Sequence, residues 1–144
     1  MKRVTLTFDN GPHLTGTPHV LAMLAQRSLK ATFFLVAERL QQPELRSLAE
    51  NAKAQGHRIA NHTMTHGVPL GRRHEAGVAQ KEIADAQMLL GNLAEELIFR
   101  PNGDKGQLGE HLLSVDAVDY LIAKKYTAVT WNCVPQDWIL PATA

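Results

Sequence analysis

The sequence predicts an α/β fold in which helices cover a parallel sheet. Three observations lead there. Apolar runs of strand length alternate with segments of helical periodicity, giving β-α-β-α-β-α-β-α-β over 144 residues. Strands joined in sequence by helices run parallel. The chemically versatile residues fall just after the strand-like runs, and sites in such folds lie at the carboxyl ends of the strands.

Val4, Leu6 and Phe8 alternate with Arg3, Thr5 and Thr7, a half-buried strand pattern. Thr17 and Pro18 suit the N-cap and first position of a helix whose face carries Leu21, Leu24, Ala25 and Ser28. Residues 31–36, ATFFLV, form a continuous apolar run suited to a strand buried on both faces. Pro43 opens a second helix with Leu45, Leu48, Ala49 and Ala52 on one side, and Gly56 suits its end. Ile59 and Ala60 make a short strand. A third helix is predicted over roughly 75–93, with Ala79, Ile83, Ala86, Leu90 and Leu93 on one face. Ile98 and Phe99 form a fourth strand. Ser114 caps a fourth helix through Val115, Val118 and Ile122, and a fifth strand runs from Thr127 to Trp131.

Composition narrows the function. The chain is 44% hydrophobic and 20% charged, ordinary for a globular domain and unlike a disordered or disulfide-scaffold protein. Fifteen Lys and Arg against fourteen Asp and Glu give a net charge of +1, so no basic field calls for nucleic acid. No apolar run is long enough for a membrane span. The N-terminus enters strand-like alternation at once, leaving no room for a secretory signal; a native N-terminus implies a cytoplasmic protein. The single cysteine, Cys133, cannot form an internal disulfide and is read as a small buried residue without an activating signature. Oligomeric state is not readable.

Four positions stand out. Asp9, Asn10, Gly11 and Pro12 end the first strand; they suit a turn, and Asp9 equally suits a general base. His62 and His66 are four apart, a spacing that on a helical turn brings two imidazoles to one metal ion, although two unrelated histidines fit as well. Thr63 follows His62, so the H-E-x-x-H protease signature is absent. Arg100 after the fourth strand suits bidentate orientation of a carboxylate, or a surface ion pair. Asp137 and Trp138 follow the fifth strand as a turn acid and a partly buried indole, or as part of a site. His13, His19, His57, His74 and His111 lack paired spacing and are read as surface or structural.

Together these segments resemble the polysaccharide deacetylase family, also called the NodB-homology domain or carbohydrate esterase family 4. TFDNGP (7–12) resembles the family's TFDDGP; KATFFLV (30–36) resembles its second-strand run; GHRIANHTMTH (56–66) resembles its GHxIxNHTxxH. FRP (99–101) resembles the start of its RPPYG segment, and Asp137-Trp138 its DW motif. The resemblance implies a distorted (β/α) barrel of the NodB type, here a single domain over 1–144 that lacks its last strand or strands at the C-terminus. It implies metal-dependent hydrolysis of N-acetyl or O-acetyl groups on a sugar polymer or oligosaccharide, usually with Zn²⁺. Asp9 would be the base, Arg100 would hold it, and Asp137 would tune a catalytic histidine. His62, His66 and Asn10 would hold the metal, while Pro101 and Trp138 would contact substrate.

The sequence departs from the family at three places. Asn10 stands where the family has its second Asp, a metal ligand, and a neutral amide oxygen weakens metal binding. RPNG (100–103) replaces the RPPYG segment and lacks its aromatic residue. No histidine follows His111, so the family's late catalytic histidine is missing and low activity is expected. A non-catalytic carbohydrate-binding descendant and a related hydrolase of non-peptide C–N bonds are the rival expectations.

Overall fold

A computed structural model describes residues 3–103 and 106–135. Five parallel strands lie in sequence order: β1 (Thr7–Gly11), β2 (Thr32–Leu35), β3 (Arg58–Asn61), β4 (Ile98–Phe99) and β5 (Thr127–Ala128). Four helices connect them: α1 (Gly16–Gln26), α2 (Pro43–Ala54), α3 (Ala86–Leu90) and α4 (Val115–Ala123). The order is that of an open segment of a (β/α) barrel, with each strand paired to its neighbours in sequence.

The best-formed ladders join β1 to β2 and β2 to β3. Thr32, Phe33, Phe34 and Leu35 of β2 are all buried, as expected of a central parallel strand. One core packs Phe33, Leu35 and Ile59 against Leu21 and Leu24 of α1, Ala49 and Ala52 of α2, and Ala86 and Leu90 of α3. A second core joins Phe99 to Ile83, Ala117 and Leu121. Each large apolar side chain buried in this way contributes about 1.5–3 kcal/mol.

Several predicted details change. Val4 is 83% exposed and the first ladder begins only at Thr7. The fifth ladder stops at Ala128, although Val129 N–H still donates to the Phe99 carbonyl at 2.8 Å. Thr17 is not the cap of α1: it lies inside the first turn, where its hydroxyl accepts from His13 N–H at 2.8 Å. Ala25 and Ser28 are exposed, so the buried face of α1 is Thr17, Leu21 and Leu24. The expected face of α4 is also reversed. Val115 and Ile122 are 76% and 70% exposed, while Ala117 and Leu121 pack on the sheet. Cys133 is exposed rather than buried.

Other expectations match. Gly56 follows α2 with φ 84°, a left-handed conformation that glycine adopts without strain. Ser114 Oγ accepts from Ala117 N–H at 3.3 Å and caps α4. Ala79, Ile83, Ala86, Leu90 and Leu93 are all buried, but the third helical segment is not uniform. A π-helical turn, Gln80–Asp85, leads into α3, and a 3₁₀ turn, Gly91–Leu93, follows it.

Candidate active site

Four of the predicted residues converge at the carboxyl ends of β1, β3 and β4. Arg100 is the hub. The residue is 2% exposed, and its planar fork presents donors in several directions. One nitrogen, Nη1, donates to Asp9 Oδ1 at 2.7 Å and to Thr7 Oγ1 at 2.8 Å, both on β1. Nε and Nη2 donate to the carbonyls of Val129 and Thr130 beyond β5, each at 3.2 Å. The guanidinium also lies 3.9 Å from the centre of the Phe34 ring on β2. Arg100 therefore ties β1, β2 and the segment after β5 together, and it fixes one oxygen of Asp9.

The other oxygen faces a histidine. Asp9 Oδ2 lies 3.8 Å from His62 Nε2, beyond hydrogen-bond range. His62 Nδ1 lies 2.8 Å from the Arg100 carbonyl. A carbonyl only accepts, so Nδ1 carries the proton and Nε2 presents its lone pair towards Asp9. The ring stays neutral because burial lowers its pKa to about 4, outweighing the pull of the Asp9 carboxylate. Two acceptors thus face each other across a gap that neither fills.

His66 completes the group. Its ring centre lies 5.0 Å from that of His62. Burial also lowers its pKa, against the raising effects of its own backbone hydrogen bond and of Asp9. The pair does not sit on a helical turn as the spacing suggests. β3 ends at Asn61, and the chain then folds into a tight turn with Thr63 and His66 at φ 71° and 54°. Thr63 Oγ1 accepts from His66 N–H at 3.0 Å, which closes the turn and delivers the second ring to the first.

Asn10 is the extra residue of a bulge: Asp9 pairs with Phe34 and Gly11 with Leu35, leaving Asn10 outside the register. It is exposed, with φ 70°, a conformation that Asn tolerates better than most residues. Pro101, expected to contact substrate, is less than 2% exposed and forms part of the buried wall. Asn102 is buried too, and its amide donates to the Gly67 carbonyl at 2.6 Å, tying the segment after β4 to the loop beyond His66. Asp137 and Trp138 lie outside the described residues.

Several contributors carry no motif. Thr7 and Phe34 read as ordinary strand residues, and nothing in the strand pattern marks either as a partner of Arg100. Trp131 packs against Gly103, where a Cβ would meet its ring at 2.8 Å, and its indole N–H donates to the Gly106 carbonyl at 2.6 Å. It brings an aromatic ring beside a segment whose own aromatic residue is missing. Glu82 carries no motif either, yet it is buried behind the His66 turn.

The donor set suits a metal ion in part. His62 offers a neutral nitrogen whose partner nitrogen is committed to a carbonyl, the arrangement that orients metal-binding histidines. Among the described residues, however, no three His, Cys, Asp or Glu side chains gather closely enough to hold an ion unaided. A third protein donor would have to be neutral, and Asn10 is the candidate.

Comparison with known proteins settles the family. Residues 1–103 match the family model described as polysaccharide deacetylase. The chain belongs to the polysaccharide deacetylase family. It is 33% identical over 141 residues to a chitooligosaccharide deacetylase of a Bradyrhizobium species, covering 97% of this chain and 60% of that protein. It is 34% identical over 145 residues to a peptidoglycan-N-acetylglucosamine deacetylase of Bacillus cereus, covering 97% of this chain and 62% of the relative. The crystal structure of a Bacillus cereus polysaccharide deacetylase superposes with a TM-score of 0.76 at 27% identity, over 94% of this chain and 62% of that one. The chain thus spans about three-fifths of the length of these relatives. Deacetylases of this family are metalloenzymes in general. No helix among the described residues is long and apolar enough to cross a membrane.

Proposed function

We propose that this chain carries the catalytic face of a metal-dependent carbohydrate deacetylase acting on N-acetylated sugars, with Asp9 as general base. The observation that carries this reading is the pair of facing acceptors, Asp9 Oδ2 and His62 Nε2, 3.8 Å apart beside the His66 ring. Such an arrangement calls for a cation or a proton donor between its members.

In this reading His62, His66 and the Asn10 amide oxygen would hold a divalent ion, Zn²⁺ by its preference for imidazole. When bound, the ion polarises the acetyl carbonyl and acidifies water. Asp9 takes the proton of the attacking water on Oδ2, the oxygen that Arg100 leaves free. Arg100 holds Asp9 in line through the reaction, and its own position is locked by Phe34 and two backbone carbonyls. Removing a positioned base typically costs 10²–10⁴-fold in rate. The roles of Asp137 in tuning an acid and of Trp138 in walling the acetyl pocket belong to the same proposal.

The test is acetate release from N-acetylglucosamine oligomers in the presence of Zn²⁺. Activity in the native chain that falls at least 100-fold in Asp9→Asn supports the reading. Equal rates in both contradict it.

A second reading, carbohydrate binding without turnover, is favoured by Asn10, because a neutral oxygen stands where a carboxylate would hold the ion. It predicts oligomer binding that needs no metal. Asn10→Asp separates the two: gain of zinc-dependent acetate release favours the enzyme, and unchanged inactivity with intact binding favours the binder.

A further inference from the structure

The turn that delivers His66 is held from behind by a buried carboxylate. Glu82 projects from the π-helical stretch Gln80–Asp85 and its side chain is 8% exposed. Oε2 accepts from Met64 N–H at 3.1 Å and from Thr65 N–H at 3.0 Å. Oε1 accepts from the Thr65 hydroxyl at 2.8 Å and from Arg73 Nη1 at 3.0 Å. Four donors thus converge on one carboxyl group, and the bond from the Arg73 guanidinium is of the stronger, charge-assisted kind.

The turn needs such a hold. Thr63 and His66 both sit at positive φ, an outlier for the β-branched Thr63. Such residues are strained and persist only where their surroundings over-determine them. Glu82 binds the two residues between them. The same π-helical stretch also accepts from the end of β3, since Asn61 Nδ2 donates to the Ile83 carbonyl at 2.9 Å. Neighbouring residues in an α-helix point about 100° apart. Here Glu82 and Ile83 are both buried, one against the turn and the other in the core. π-Helical turns inside helices are frequent at functional sites.

We infer that Glu82 is the positioning residue for His66, fixing residues 63–66 in the conformation that sets the two imidazoles against each other. Through the zinc readout this rests on the metal reading above; the structural readout does not. Glu82→Gln keeps the shape but must place an NH₂ against donors, either the two amides or Thr65 and Arg73.

The test uses the full chain in two measurements. The first is zinc affinity, by competition with a chromophoric chelator. The second is the imidazole nitrogen resonances of His62 and His66 in zinc-free protein. Glu82→Gln is expected to weaken zinc about 10–100-fold, the usual effect of losing a group that orients a ligand. It should displace the His66 resonances and leave those of His62 in place, a selectivity that general destabilisation does not produce. Thr65→Val removes only one of the bonds and should act in the same direction with a smaller effect; it decides the matter where Glu82→Gln does not fold. Zinc affinity within twofold of native together with unmoved His66 resonances overturns the inference. If the native chain takes up no zinc, the metal reading fails, and the His66 resonances alone then judge the role of Glu82.

Discussion

The two ends of the sheet are both polar, yet they are built differently. At the amino ends of the strands, a cleft of about 600 Å³ is lined by Lys30, Lys53, His57, Arg58, Glu95 and Glu96, among others. Its charges are matched locally. Lys30 donates to the Gln55 carbonyl at 2.5 Å, Lys53 reaches Glu95 and the Asn92 carbonyl, and Arg58 lies 3.3 Å from Glu96. Even its buried histidine is settled, since His57 Nδ1 accepts from Ala31 N–H at 3.2 Å. At the carboxyl ends, Asp9 and His62 face each other with acceptors opposed, and the chain holds Thr63 and His66 at positive φ in the turn that brings the His66 ring beside them. The contrast teaches that the size of a cleft says little about chemistry. What marks the site is a desolvated group left with one uncommitted atom, held by neighbours that are fully committed.

Substitutions at the two ends should therefore differ sharply. Arg100→Ala is expected to have the largest effect on stability, about 3–5 kcal/mol, because it leaves two backbone carbonyls, Thr7 and Asp9 without their shared donor. Urea unfolding measures it, and Arg100→Lys should recover little, since a point charge cannot reproduce the fork.

Acid should come next. Below pH 6.5 the unfolded chain binds a proton that buried His62 refuses until about pH 4. Stability of the metal-free chain is therefore complete above pH 6.5 and falls as pH drops towards 4, by about 3 kcal/mol from this ring. His57, whose pKa is lowered by burial and then by Lys30, adds a loss of the same sign. Unfolding at pH 7 and pH 4.5 in native and His62→Gln chains should show a shallower pH slope in the variant. An unchanged slope would mean that the ring is not held neutral by burial.

Ser114→Ala should cost about 1 kcal/mol by removing the one side-chain cap of α4, readable as a shift in the unfolding midpoint. At the amino end, Arg58→Ala should change stability by less than about 0.5 kcal/mol, because its ion pair with Glu96 is exposed. A loss of 2 kcal/mol there would erase the distinction between the two ends.

Much of this layout was legible in the residues. Uniform apolar runs fixed β2, and the spacing of Ala79, Ile83, Ala86 and Leu90 fixed the buried side of the third helical segment. Asp9, His62, His66 and Arg100 were found because strand ends are short and their polar residues few. The misses have physical causes. Helix α4 is apolar on both sides, so Val115, Val118 and Ile122 gave as good a helical stripe as Ala117 and Leu121, although the latter pair is the one packed in the core. The H-x3-H spacing suggested a helix because i and i+4 meet there; a turn with two left-handed residues achieves the same meeting, and no propensity announces Thr at positive φ. Glu82 was hidden for a similar reason. A charge beside an apolar helix face reads as solvated, whereas here it lies on a π-helical stretch and is buried against the turn after β3.

The metal chemistry proposed for this chain requires that a cation bind beside Asp9, at His62. Zinc titration of the native, His62→Ala and Asn10→Asp chains at pH 7.5 tests this directly. The expected result is one zinc per native chain, loss of that binding in His62→Ala, and about tenfold or greater tightening in Asn10→Asp as a carboxylate replaces the amide. Zinc uptake that is the same in all three chains, or absent even in Asn10→Asp, would contradict it.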